Sequence, residues 1–165
     1  MNIQLLTMGP GEIEHLLKNP SMLRFRDLDI TTGAMPPEVV LAAAMGRHRA
    51  GELWFWCAPR LFVLSAENRI VGSAGFKNSP RKGAVEIGCG VAESYRGRHI
   101  ATEGVELMVS AGFSKSEATA ITAETAVWNT ASQRVLEKAF FNRVGSRVDP
   151  EDGELIIWRR LRTTG

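Results

Sequence analysis

Three apolar or alternating runs, at residues 61–65, 70–76 and 84–91, follow one another with only the turn Glu67-Asn68 and the polar loop 77–83 between them. Alternation with a period of two is a strand signal, and links this short join antiparallel neighbours. An antiparallel meander is therefore written into the middle of the chain. Downstream the rhythm changes. Residues 98–113 place Ile100, Gly104, Leu107, Met108 and Ala111 at helical spacing, with Glu103, Glu106 and Ser110 opposite. Residues 118–127 alternate again, 130–139 read as a helix in which Thr130 and Gln133 have capping-box spacing, and 143–148 and 154–161 read as strands around Asp149-Pro150-Glu151-Asp152-Gly153.

Upstream, Ile3, Leu5 and Thr7 form a short strand stopped by Gly9-Pro10-Gly11, and residues 12–18 a helix through Ile13, Leu16 and Leu17 that Asn19-Pro20 ends. Residues 21–32 carry no decided pattern. Pro36-Pro37-Glu38 then starts a helix over 39–45 that closes at Gly46 or Gly51. A meander joined to strand-helix-strand crossovers predicts an α+β (mixed α/β) domain over residues 1–165, with a mostly antiparallel twisted sheet of about seven strands flanked by about four helices.

Composition excludes several classes. With 44% hydrophobic and 23% charged residues the chain has the balance of a folded globular protein. The net charge is +2 and no Lys/Arg run is dense enough to track phosphates, so no nucleic acid partner is expected. Cys57 and Cys89 sit in apolar sequence without metal-ligand spacing, which predicts two reduced core thiols and no metal. The first residues lack the pattern of a secretory signal, and no apolar run approaches the roughly 20 residues of a membrane span. A cytoplasmic protein with no membrane partner is expected.

The most informative segment is Val91-Ala92-Glu93-Ser94-Tyr95-Arg96-Gly97-Arg98-His99-Ile100-Ala101-Thr102, a strand end that passes through a basic, glycine-containing turn into a helix. A helix start leaves backbone N–H groups unpaired at the positive end of the helix dipole, which suits phosphate, and Arg96 and Arg98 add charge. The bland alternative is a solvated surface loop. The segment resembles the acetyl-CoA motif Q/R-x-x-G-x-G/A of the GCN5-related N-acetyltransferases (GNAT), with Arg96 first, Ala101 last and His99 in place of the middle glycine. Asn129-Thr130-Ala131-Ser132-Gln133-Arg134-Val135-Leu136-Glu137-Lys138-Ala139-Phe140-Phe141 resembles the family's second motif, with Phe140 where that pattern has Gly. The resemblance covers roughly residues 61–161 and is strongest to the ribosomal-protein N-terminal acetyltransferase branch.

It implies acetyl-CoA as co-substrate, no metal, and a GNAT-like fold whose residues 61–161 hold the cofactor while 1–60 form the acceptor side. It implies cofactor contacts at Cys89, Gly90, Val91, Arg96, Gly97, Arg98, His99, Ile100, Ala101, Thr102, Asn129 and Ser132. His99 fits if the turn keeps φ negative there, its ring pointing to solvent. Strand parity puts Val85, Ile87, Cys89 and Val91 on one face and Glu86, Gly88 and Gly90 on the other. Gly88 and Gly90 either mark a bulge that splays the strand, leaving main-chain groups for an extended ligand that the resemblance implies is pantetheine, or admit a closely packed helix.

Glu86 is the candidate general base, since an ammonium must lose a proton before it attacks a thioester; the competing reading is a structural salt bridge. Glu103 and Glu124 are weaker candidates. Leu136 stands where many family members place a Tyr, so Ser132 is the candidate donor to the leaving sulfur, against a role in the first turn of its helix. Asn129 either contacts the cofactor or caps that helix. Backbone N–H groups around Val91 would polarise the thioester carbonyl. Trp54, Phe55 and Trp56 either wall an acceptor channel, with Trp54 and Trp56 touching substrate, or belong to the core. The predicted activity is N-acetylation of a primary amine, on a small molecule or a protein N-terminus, by direct attack in a ternary complex; a non-catalytic CoA-binding regulatory module is the alternative. The partner is thus a small-molecule or peptide amine, and the protein a monomer or homodimer.

Overall fold

The computed structural model describes residues 2–163. Its elements, in chain order, are β1 (Ile3–Thr7), α1 (Pro10–Lys18), β2 (Arg24–Phe25), β3 (Leu28–Ile30), α2 (Glu38–Arg49), α3 (Trp54–Cys57), β4 (Arg60–Leu64), β5 (Arg69–Phe76), β6 (Ala84–Val91), α4 (Ile100–Phe113), β7 (Ala120–Ala126), α5 (Thr130–Lys138), β8 (Asn142–Asp149) and β9 (Gly153–Leu161). One sheet carries the order β1-β4-β5-β6-β7-β9-β8, and these are the seven strands the alternation predicts. The undecided segment supplies the rest, a two-residue β2 paired with a three-residue β3 that lies parallel to the start of β5. The short α3 is a fifth helix; α2 runs past Gly46 and stops just before Gly51, which takes a left-handed φ of 94°.

Alternation along each strand splits the core between the two faces of the sheet. On one face Phe62, Leu64, Ala74, Phe76, Val85, Ile87, Ile121, Ala123, Ile156 and Trp158 pack against Ile100, Val105, Met108 and Val109 of α4 and Leu136 of α5. On the other, Leu61, Val63 and Ile70 receive Ile13 and Leu16 of α1 and Leu41 and Met45 of α2. Helix α4 comes close because it presents Gly104 to the ring of Phe62, which would stand 2.4 Å from an added Cβ.

The edge of β5 that faces β6 is divided. β3 takes Arg69 and Ile70, and β6 takes Gly72 through Phe76. Between them Val71 is an extra residue against β4, which pairs Phe62 with Gly72 and Val63 with Ile70, and the Val71 carbonyl accepts from Ala92 N–H at 2.8 Å. One reading of Gly88 and Gly90 puts a bulge in β6; the β5–β6 ladder runs without a shift, and the bulge lies in β5 against β4. Strand β8 closes the sheet with Val144 bulged out of its ladder to β9, and seven of its eight residues are exposed.

Candidate active site

Strand β6 has two unlike edges. Toward β5 its residues Ile87 through Val91 pair in register with Phe76 back to Gly72, and Lys77 N–H donates to Glu86 carbonyl at 2.8 Å. Toward β7 it runs parallel and pairs at only three positions, Ala84, Val85 and Glu86. Beyond Glu86 the two strands part. Antiparallel ladders alternate, so with Glu86 and Ala92 bonded toward β5, the N–H and C=O groups of Ile87, Cys89 and Val91 face the gap. This open edge is the splay that strand parity anticipated, and it needs no bulge in β6.

The gap leads to the basic turn. Glu93–Tyr95 forms one 3-10 turn, and α4 begins at Ile100 with Glu103 N–H donating to the His99 carbonyl. Ile100, Ala101 and Thr102 therefore have no intrahelical acceptor, and among the described residues the N–H groups of Gly97, Arg98 and His99 also lack a backbone partner. Two left-handed residues aim these donors outward, Gly97 at φ 77° and His99 at φ 62°. The condition under which a histidine fits this position without strain, a negative φ, is therefore not met. The turn keeps the conformation a glycine would adopt without strain and imposes it on a histidine whose ring is exposed. Phe140 repeats the pattern, with φ 65° at the other position where glycine was expected.

Both turn arginines are exposed but differently held. Arg96 Nε reaches back to the Val91 carbonyl at 3.4 Å. Arg98 stacks on the Tyr95 ring at 4.8 Å and lies 4.0 Å from Glu67, which also accepts from the Tyr95 hydroxyl at 2.6 Å; that hydrogen bond raises the phenol above its usual value. Cys89 is not the core thiol expected. It opens onto solvent. Cys57 is buried as expected.

Glu86 stands at the last rung before the strands part, opposite Thr122 and on the face away from α4. Its backbone N–H donates to Asn78 Oδ1 at 3.0 Å, while Asn78 Nδ2 donates to the carbonyls of Ala84 and Ser79, so one side chain ties the 77–83 loop to the strand that carries Glu86. Its carboxylate lies 3.1 Å from Lys77 Nζ. The Lys77 stem crosses the bare backbone of Gly88, where an added Cβ would come within 2.9 Å of Lys77 Cε; Gly90 faces open space. The helix proposed as the alternative occupant of this glycine face is not there, and a lysine is. On β7, Glu124 is held by Arg147, with Nη2–Oε1 at 2.8 Å, and this hydrogen bond keeps its carboxyl below the usual carboxylate range. Glu103 accepts from Ile3 N–H at 3.0 Å. Neither is as free to meet a ligand as Glu86, whose partner is an exposed lysine.

Asn129 caps α5 by accepting from Ser132 N–H at 3.1 Å. The expected box between Thr130 and Gln133 does not form. Gln133 instead donates to the carbonyls of Ala126 and Val127 at the end of β7, and each such bond contributes about 1 kcal/mol net. Of the two aromatic readings, burial favours the core: Trp56 is 2% exposed against Phe76 at 4.9 Å, and so walls no channel. Trp54 is half-buried, packs with the α1–α2 cluster and donates to the Met8 carbonyl. Phe55 and Phe76 stack on each other, and the guanidinium of the buried Arg60 lies against both rings, its burial lowering it to about 10. Sequence reading passed over Lys77, Asn78 and Arg81; only the polarity of their loop signalled them.

A parted parallel pair opening onto a helix start rich in free N–H donors narrows the comparison with known proteins to one family. The family model described as an acetyltransferase (GNAT) domain matches residues 13–142. The chain belongs to the GNAT family. Membership makes it an acyl-CoA-dependent N-acetyltransferase. Among solved structures it is similar to the aminoglycoside acetyltransferase AAC(6')-Ib in complex with coenzyme A, at 20% identity over 98% of this chain and 95% of that one, with a TM-score of 0.67. It is similar also to the ribosomal-protein-S5-alanine acetyltransferase from Vibrio fischeri, at 15% identity over 98% and 93% and a TM-score of 0.67. A third likeness is to RimL, a ribosomal-protein acetyltransferase in complex with coenzyme A, at 15% identity over 98% and 94% and a TM-score of 0.68. No curated protein matches. Among the described residues no helix is long and apolar enough to cross a membrane, and no His, Cys, Asp and Glu cluster suits a metal.

Proposed function

We propose that this protein transfers the acetyl group of acetyl-CoA to the primary amine of a small molecule or peptide, by direct attack in a ternary complex. The observation that carries the reading is the coincidence at one rung: β6 parts from β7 immediately after Glu86, so this carboxylate sits where the free main-chain groups of the gap begin. Acetyl-CoA supplies an activated acyl carbon and a thiol leaving group. Its pyrophosphate would take the N–H groups of residues 97–102 with Arg96 and Arg98, and its pantetheine arm the groups of Ile87, Cys89 and Val91, as an added strand would. Asn129 and Ser132 flank that arm from the start of α5.

The acceptor binds as an ammonium and must lose a proton. Glu86 takes it, directly or through water; the amine lone pair then forms the C–N bond as the C–S bond breaks and the electron pair leaves on sulfur. Val91 N–H, directed into the gap, stabilises the charge that develops on the carbonyl oxygen. A thiol with an unperturbed value near 8.5 leaves without obligatory protonation, so the Ser132 hydroxyl assists rather than controls departure. The Lys77–Glu86 pair is the observation that favours the second reading, a CoA-binding module in which Glu86 is structural. Thermal shift and thiol release together decide. Acetyl-CoA at about 100 times Kd should stabilise the protein by about 2.7 kcal/mol, and amines should release free CoA. Binding without release from any amine would establish the module; no shift at millimolar acetyl-CoA would remove the cofactor assignment.

A further inference from the structure

The acceptor's own charge can be read from what surrounds Glu86. Beside it lies a cavity of about 320 Å³ lined by Lys77, Asn78, Arg81, Ala84, Glu86 and Thr122. The lining brings two cations and one carboxylate. Lys77 already neutralises the carboxylate at 3.1 Å, and among the described residues Arg81 has no carboxylate within 4.0 Å and no side-chain hydrogen bond. The guanidinium is thus, among the described residues, a charge without a carboxylate partner in the same pocket that Glu86 lines. Its backbone is fixed: Arg81 and Ala84 exchange hydrogen bonds at 3.0 Å in each direction, and Asn78 braces the same turn through the Ala84 carbonyl. Across the strand from Thr122, its register partner Arg159 adds a further exposed cation. The nearby acids are engaged elsewhere, Glu124 with Arg147 and Glu52 with Arg47 and Ser79.

We infer that the acceptor is a primary amine that also bears a carboxylate, with Arg81 binding the carboxylate while the amine displaces Lys77 from Glu86. This deepens the proposed function and rests on Glu86 meeting the reacting amine. Arg81 is suited to the task, since its planar fork matches a carboxylate bidentately, and it lies on an ordered turn. Once displaced, the Lys77 ammonium stays on the same face and offsets the acceptor's negative charge. A polycation meets the opposite situation. It would have to displace Lys77 and then remain beside Arg81 with no spare carboxylate to receive its second charge.

The test is a set of matched pairs that differ only in the carboxylate: glycine, β-alanine and γ-aminobutyrate against their amides, with spermidine and kanamycin as polycations, read by thiol release from acetyl-CoA. The amine of each amide is the less basic and is more often neutral at a fixed pH, so this bias runs against the expected result. For at least one spacing the acid should exceed its amide about 10- to 100-fold in kcat/KM, and Arg81→Gln should abolish that preference through KM while leaving kcat and the acetyl-CoA thermal shift in place. Amides or polycations used as well as the acids would overturn the inference and leave the acetyltransferase reading standing. So would an unchanged acid-to-amide ratio in Arg81→Gln, or a bound cofactor with no turnover of any acid. Failure of acetyl-CoA to bind at all would instead sink the proposed function, and this inference with it.

Discussion

The two edges of β6 have the same residues behind them and opposite fates. Toward β5, Ile87 to Val91 are laddered in register without interruption; toward β7 the same five residues pair with nothing. The sealed seam can be sealed because Gly72 lets it close, as an added Cβ there would lie 2.5 Å from the Gly90 carbonyl. The open seam stays open because the chain leaves β6 through a turn and a 14-residue helix before returning as β7, so nothing local holds the strands together beyond Glu86. A strand can thus be rigid and receptive at once, each edge performing one task. The rigid edge fixes the geometry that the receptive one offers.

The largest effect should come from the carboxylate at the fork. Glu86→Gln should lower kcat about 100-fold or more while leaving acetyl-CoA affinity within about twofold. The deficit should narrow as pH rises toward the acceptor amine's own pKa, because more neutral amine is then supplied by solvent. A rate equal to the unaltered protein's across that range would return Glu86 to the status of Lys77's ion-pair partner. Next in size is a wedge in the sealed seam: Gly72→Ala should cost about 1–3 kcal/mol, seen as a lower urea midpoint at unchanged slope. An unaffected midpoint would mean that the seam yields as readily as the open side, and the contrast would be lost. The smallest effect concerns the left-handed residues that close the two turns near the gap. His99→Gly and Phe140→Gly should each raise stability by about 0.5–1 kcal/mol, since relief of φ strain exceeds the entropy glycine adds to the unfolded chain. Destabilisation by either would show that the exposed side chain makes up the strain, for Phe140 through Arg160, whose guanidinium lies 5.7 Å from its ring.

The seven-strand frame was legible as apolar or alternating runs between turn signals, although β4 is buried throughout and β8 almost wholly exposed, and Ala84–Val91 came out with its observed bounds. β2 and β3 were not, since two or three residues are too few to show a period. The sequence offered two caps for α5, Asn129 and the Thr130–Gln133 spacing, because Asn129 and Thr130 are adjacent cap formers; the structure takes Asn129, and Gln133 reaches to the end of β7 instead. Within the candidate site, Glu86 and the 96–102 turn were visible as local pattern. Whether His99 keeps a negative φ could not be read from the sequence, because a residue's type biases its backbone but does not fix it. Lys77 and Arg81 went unnoticed because their meaning depends on a long-range fact, the end of β6–β7 pairing, that no window of sequence contains.

The bulge in β8 bears on how the molecule behaves in company. An outermost strand displays unpaired main-chain groups and invites any similar edge to dock, which is the first step of cross-molecular sheet growth. Here Val144 breaks the regularity of that border, Arg143 and Arg147 line it with charge, and Pro150 follows directly where a docking strand would need a donor. The sheet thus has a receptive edge in its interior, between β6 and β7, and a guarded one at its β8 border.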